Sequence, residues 1–162
     1  MSNVTAHETT IEAPADLPTI TIVREFDASV EKLFRAWTEP ELVVQWIGPR
    51  SIQTRIDHWD VRTGGSWRYV GLRDGEEVAR FFGSFHEIRP NQRLVQTFTY
   101  EGFPDGVSLE MLTFEALPGG RSRASIVSVV DSLAARDAIL ASGMDVGVRE
   151  GYEKLDKLLT TT

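Results

Sequence analysis

Gly143-Met144-Asp145-Val146-Gly147-Val148-Arg149-Glu150-Gly151-Tyr152-Glu153-Lys154-Leu155-Asp156-Lys157-Leu158-Leu159 has apolar residues at 144, 148, 152, 155, 158 and 159. That is the three-and-four spacing of a helix with one buried stripe. Three glycines, Gly143, Gly147 and Gly151, sit four residues apart within it. Each costs about 1 kcal/mol against alanine in a helix interior, so the missing side chains must serve a purpose. With Leu155 at the centre of the apolar face, Gly151 lies near that centre, while Gly147 and Gly143 drift to one margin. A helix notched there either admits another backbone or leaves room for a bound molecule.

Upstream the pattern changes. Thr19-Ile20-Thr21-Ile22-Val23-Arg24-Glu25-Phe26 is a β-branched run typical of a strand. Ser29 is placed to cap a helix carrying Val30, Leu33, Phe34 and Trp37, and Pro40 opens a second short helix that Gly48-Pro49 stops. From 52 to 130 the period is two, with turn residues between the runs. Ile52–Asp60, Trp67–Leu72, Val78–Ile88, Arg93–Tyr100, Val107–Leu117 and Arg123–Val130 read as six strands of an antiparallel meander. Ser132 or Asp131 then caps a helical tail that runs to about Leu159, with a bend or break near Ser142-Gly143. The expected fold is α+β: a seven-stranded curved antiparallel sheet around a long C-terminal helix, with two short helices between strands one and two. Residues 1–18 are polar and aperiodic, a flexible extension before a single domain at 19–162.

A chain of 162 residues is one domain on length, large enough to bury roughly 70% of its unfolded surface. A net charge of −7 and a pI of about 5.0 argue against nucleic acid or anionic membranes as partners. No cysteine is present, which excludes disulfides, thiolate metal sites and thiol nucleophiles. No apolar run approaches the roughly 20 residues of a membrane span. No basic segment precedes an apolar core at the N-terminus, so the expectation is a cytoplasmic protein without membrane insertion.

Phe26-Asp27-Ala28-Ser29, Leu33-Phe34-Arg35-Ala36-Trp37-Thr38-Glu39-Pro40-Glu41-Leu42 and Trp46-Ile47-Gly48-Pro49 together resemble the opening of a known family. It is named for its likeness to the activator of the heat-shock protein 90 ATPase and lies within the START-like (SRPBCC, helix-grip) superfamily. Asp60-Val61-Arg62-Thr63-Gly64-Gly65-Ser66-Trp67 resembles its glycine-pair turn, and Gly83-Ser84-Phe85-His86-Glu87-Ile88 with Pro90 and Arg93-Leu94-Val95 its central hairpin. Thr113-Phe114-Glu115 and the glycine-rich tail complete the series over residues 19–159. Ile47 is a departure, since many relatives carry a second tryptophan there. The resemblance implies the helix-grip fold. It leaves function open, because the superfamily holds cyclases, lipid carriers, receptors and co-chaperone domains.

A sheet curled around one helix leaves space that large side chains or a ligand must fill. Trp46, Trp67, Tyr69, Phe81, Phe85, Phe98 and Phe114, with Met144, Val148, Gly151 and Tyr152 on the helix, are the candidate lining of such a cavity. Each one taken singly also reads as ordinary core. Asp57, Asp60, Glu87 and Glu110 are the acid–base candidates, and Glu87 is favoured because it shares strand parity with Phe81 and Phe85. His7, His58 and His86 lack metal-ligand spacing, and neither a phosphate loop nor a nucleophile elbow is present. No metal and no cofactor are therefore expected. The reading is a non-enzymatic binder of a small, mostly hydrophobic or amphipathic molecule. The alternatives are a cyclase- or dehydratase-like enzyme using a cavity carboxylate such as Glu87, and a chaperone-interacting domain. A homodimer stays open.

Overall fold

The computed structural model describes residues 7–161. Strands β1 (Thr10–Glu12) and β2 (Thr19–Phe26) come first, then helices α1 (Val30–Thr38) and α2 (Pro40–Trp46). The meander follows as β3 (Gln53–Trp59), β4 (Ser66–Arg73), β5 (Glu76–Arg89), β6 (Arg93–Tyr100), β7 (Ser108–Leu117) and β8 (Arg121–Val129). Helices α3 (Leu133–Ala141) and α4 (Met144–Thr161) end the chain. All strands join one antiparallel sheet in the order β1-β2-β8-β7-β6-β5-β4-β3. The consecutive hairpins of β3 to β8 follow from short turns, two of which use Asp74-Gly75 and Asn91 at positive φ.

The sheet therefore has eight strands among the described residues, not seven. The extra one is β1, whose Thr10, Ile11 and Glu12 pair with Val23, Ile22 and Thr21. It also corrects the reading of 1–18 as a loose extension, because residues 10–12 belong to the sheet. The reach of that segment is extended by side chains from the far end of the chain: Arg149 donates to the Thr9 carbonyl and Arg136 to that of Leu17. Three polar-flanked residues are too short to show alternation, so nothing in their pattern reveals the strand. Residues 1–6 lie outside the described part.

Ser29 caps α1 by accepting from the Lys32 amide at 3.2 Å. Glu39, held in an extended conformation ahead of Pro40, separates α1 from α2. Phe26, Leu33 and Leu155 are fully buried and join β2, α1 and α4 in one core. Arg24 is 3% exposed and points inward from β2, where both its terminal nitrogens donate to Asp156 on α4 at 2.8 and 2.7 Å. This paired charge fixes the C-terminal half of α4 across the sheet.

The glycines of the C-terminal segment have separate causes. Gly143 lies between α3 and α4 at φ +85° with open space about it, the left-handed residue that ends a helix. Gly147 and Gly151 face the segment leaving α2. A Cβ on Gly151 would lie 3.0 Å from the Trp46 carbonyl oxygen and 3.5 Å from the backbone nitrogen and oxygen of Gly48. One on Gly147 would meet Pro49 Cδ at 3.4 Å. Of the two purposes for a notched helix, close approach of another backbone is the one realised. Gly151 is accordingly part of the packing between α4 and the 46–48 backbone, and its place among the candidate lining residues is corrected.

Candidate functional site

Pairing register decides which side chains face α4. Phe85, Gln96, Glu110, Ser128 and Ile20 lie on one transverse row of the inner face, through the pairs Phe85 with Gln96, Gln96 with Glu110, Glu110 with Ser128, and Ser128 with Ile20. The next row holds Ile88, Leu94, Leu112, Ile126 and Ile22. Leu94 and Leu112 are sealed beneath the helices, but Gln96, Phe98, Glu110, Ile126 and Ser128 are only half-buried although they face inward. Met144 and Val148 on α4 pack toward the same core and are likewise half-buried. Inward-facing side chains that keep accessible surface therefore stand both on the sheet and on the N-terminal half of α4.

One wall is aromatic. Trp67 and Tyr69 stack with centroids 5.2 Å apart, Tyr69 meets Phe81 at 5.2 Å, Phe81 meets Phe98 at 5.3 Å, and Phe98 meets Trp67 at 5.6 Å. The four rings form a closed circuit across β4, β5 and β6. Gly83 permits it, because Trp67 lies over the position where a Gly83 side chain would stand. A recess of about 150 Å³ opens beside the same wall, lined by Ile47, Pro49, Ile52, Tyr69, Val78 and Phe81 among others.

Polar atoms interrupt this apolar lining. The Trp67 ring is 3% exposed, and its Nε1 is buried without a hydrogen-bond partner among the described residues. Such an unsatisfied donor costs about 1–3 kcal/mol. The Tyr69 and Tyr152 hydroxyls also make no hydrogen bond among the described residues. Burial raises the pKa of both phenols, and the Glu110 charge raises them further. Glu110 accepts from Gln96 Nε2 at 2.8 Å. It keeps some accessible surface yet is deeply desolvated by surrounding protein, the combination expected on the wall of a narrow crevice. That desolvation raises its carboxyl pKa above the ordinary glutamate value, against the smaller opposing effect of Gln96.

Glu87, the favoured acid–base candidate, is elsewhere. A bulge between Phe85 and Glu87 breaks the parity, so Ile88 pairs with the inward Leu94 while Glu87 pairs with Val95. Its carboxylate meets Arg89 at 2.7 Å and Arg93 at 3.0 Å, and these partners lower its pKa, Arg89 first. This is a surface ion-pair cluster, and the role given to Glu87 is corrected. Asp57 and Asp60 are tied in the same way to Arg55 and Arg62. His58 and His86 stand on β3 and β5 with β4 between them, and His58 Nε2 lies 2.9 Å from Ser66 Oγ. Among the described residues no three His, Asp or Glu side chains converge as metal ligands.

The candidate lining residues divide in two. Tyr69 and Phe81 line the recess, and Phe98, Met144 and Val148 are half-buried, with Trp67 packed behind them at 3% exposure. Trp46, Phe85 and Phe114 are sealed core: Trp46 Nε1 donates to the Ala36 carbonyl at 2.9 Å, Phe85 packs on Trp59, and Phe114 packs on Phe34 and Trp37. Tyr152 bridges the groups, its ring against Phe26, Trp37 and Trp46 and its hydroxyl within the field of Glu110. Gln96, Ile126 and Ser128 carry no sequence signal of their own. Glu110 has one, its even spacing from Leu112 and Phe114 along β7.

A search of curated proteins returns no match. Among solved structures, a protein from Rhodobacter sphaeroides superposes with TM-score 0.86 at 26% identity, over 96% of this chain and 100% of its own. An Arthrobacter aurescens protein gives 0.85 at 26%, over 94% and 92%, and a Mycobacterium smegmatis protein 0.84 at 26%, over 96% and 99%. The family described as "Activator of Hsp90 ATPase homolog 1-like protein" matches residues 27–160. With its helix-grip architecture and that match over most of its length, the chain belongs to the activator of Hsp90 ATPase homolog 1-like family.

Proposed function

We propose that the chain binds a small, mostly apolar molecule in the crevice between the inner face of β4–β8 and the N-terminal half of α4. The supporting observation is the group of inward-facing side chains that remain half-buried, Phe98 and Ile126 on the sheet and Met144 and Val148 on α4, within an otherwise close-packed domain. The unpartnered Trp67 Nε1 and the two free tyrosine hydroxyls favour a ligand with a polar end. Family membership and fold are consistent with a ligand-binding domain.

The test is titration with N-phenyl-1-naphthylamine, a neutral dye that brightens in apolar surroundings. Val148→Trp fills the crevice from the helix side. It is expected to weaken dye binding at least about ten-fold while leaving the melting temperature within a few degrees, because Val148 is half-buried and the added ring occupies open space. Unchanged dye affinity in a folded variant would exclude the crevice as the site.

A further inference from the structure

We infer that the crevice selects organic amines, an apolar body carrying a protonated nitrogen that sits beside Glu110. The inference rests on the crevice being a binding site at all. Glu110 is the inward carboxylate on the row that lines it, and its one hydrogen-bond partner is the neutral Gln96 amide at 2.8 Å. The arginine on the same inner face, Arg24, is already bound through both terminal nitrogens to Asp156. Arg149 on α4 is turned away to the Thr9 carbonyl. The other titratable groups within its field, Tyr69 and Tyr152, are held neutral by burial.

A desolvated carboxyl group with no cation beside it is therefore set into the inner face, and a ligand ammonium is the group that favours its ionised form and pairs with it. The neighbouring surface suits the same charge. Phe98 is two residues from Gln96 on β6 and so diagonal to Glu110, and it begins the four-ring circuit with Trp67, Tyr69 and Phe81. Aromatic faces attract cations, more strongly where water is excluded. An anionic ligand meets the opposite: Glu110 repels it, and the chain's net charge of −7 adds to the repulsion.

The experiment displaces bound N-phenyl-1-naphthylamine with three competitors of equal length at about pH 8: 4-phenylbutylamine, 4-phenylbutan-1-ol and 4-phenylbutanoate. The amine is expected to compete about ten-fold or more better than the alcohol, and the acid worst. In Glu110→Gln, which keeps the shape and removes the charge, the amine advantage falls to about three-fold or less while the alcohol is unchanged. If the alcohol or acid matches the amine in the natural protein, the inference is overturned without recourse to any variant. The same holds if Glu110→Gln binds the dye and keeps the full amine preference. Failure of the dye and all three competitors to bind removes the underlying binding reading as well, which separates the two failures.

Discussion

Gly83→Val destabilises the protein by about 3 kcal/mol or more, although valine is a far better strand residue than glycine. The expected drop in melting temperature is about 6–12 °C for a chain of this size. The reason is local. A Cβ at position 83 falls 2.0 Å from the Thr97 carbonyl oxygen on β6 and 2.7 Å from two carbons of the Trp67 ring. Neither neighbour can yield cheaply, since Thr97 is held in the β6–β7 pairing opposite Leu109 and Trp67 is stacked on Tyr69 at 5.2 Å. Ser84→Val, one residue on and pointing to solvent, is the control and should change stability by about 0.5 kcal/mol or less. Equal melting temperatures for the two variants would mean that Trp67 does not lie over Gly83, and the aromatic wall would be wrongly drawn.

Gly151→Leu is the second large effect. Removing a helix-interior glycine favours the variant by about 1 kcal/mol. Against this, the first added carbon already sits 3.0 Å from the Trp46 carbonyl, and leucine places three more in the 46–48 backbone. Overpacking against backbone falls at the upper end of the usual range, about 3 kcal/mol, so the net loss is about 2 kcal/mol and about 4–8 °C. Gly147→Ala meets Pro49 alone, at 3.4 Å from Cδ and 3.8 Å from the nitrogen, and should hold or raise the melting temperature. The pair of variants separates a glycine that admits backbone from one that merely weakens its helix. A Gly151→Leu protein that melts normally but loses dye binding would restore Gly151 to the ligand wall.

These positions also mark how far the residues alone could be read. Strands β2 to β8 were legible because their alternation runs for seven or more residues between clear turns, and Ser29 and Pro40 set both short helices in place. Strand β1 was not, because Thr10-Ile11-Glu12 is stabilised by pairing with β2 and has no period of its own. Parity counting correctly put Trp67 with Tyr69 and Phe81 with Phe85. It failed at Glu87, because a bulge adds one residue to a strand without any mark in the residue types. The same counting along β7 places Glu110 with Leu112 and Phe114, so the inward carboxyl group was within reach once β7 was aligned on its sealed residues. Gln96, Ile126 and Ser128 enter the crevice only through cross-strand register, which depends on every turn between them. Trp46 and Phe114 have the residue type of a ligand wall but are enclosed by α1 and its neighbours.

Methyl-resolved NMR during titration with N-phenyl-1-naphthylamine shows whether a small apolar molecule lodges between the sheet and the N-terminal half of α4. Shifts are expected at Ile126, Met144 and Val148, with the exposed methyls of Val107 and Leu109 and the sealed Val43 unmoved. Shifts confined to Val107 and Leu109, with the three crevice methyls unchanged, would contradict that placement.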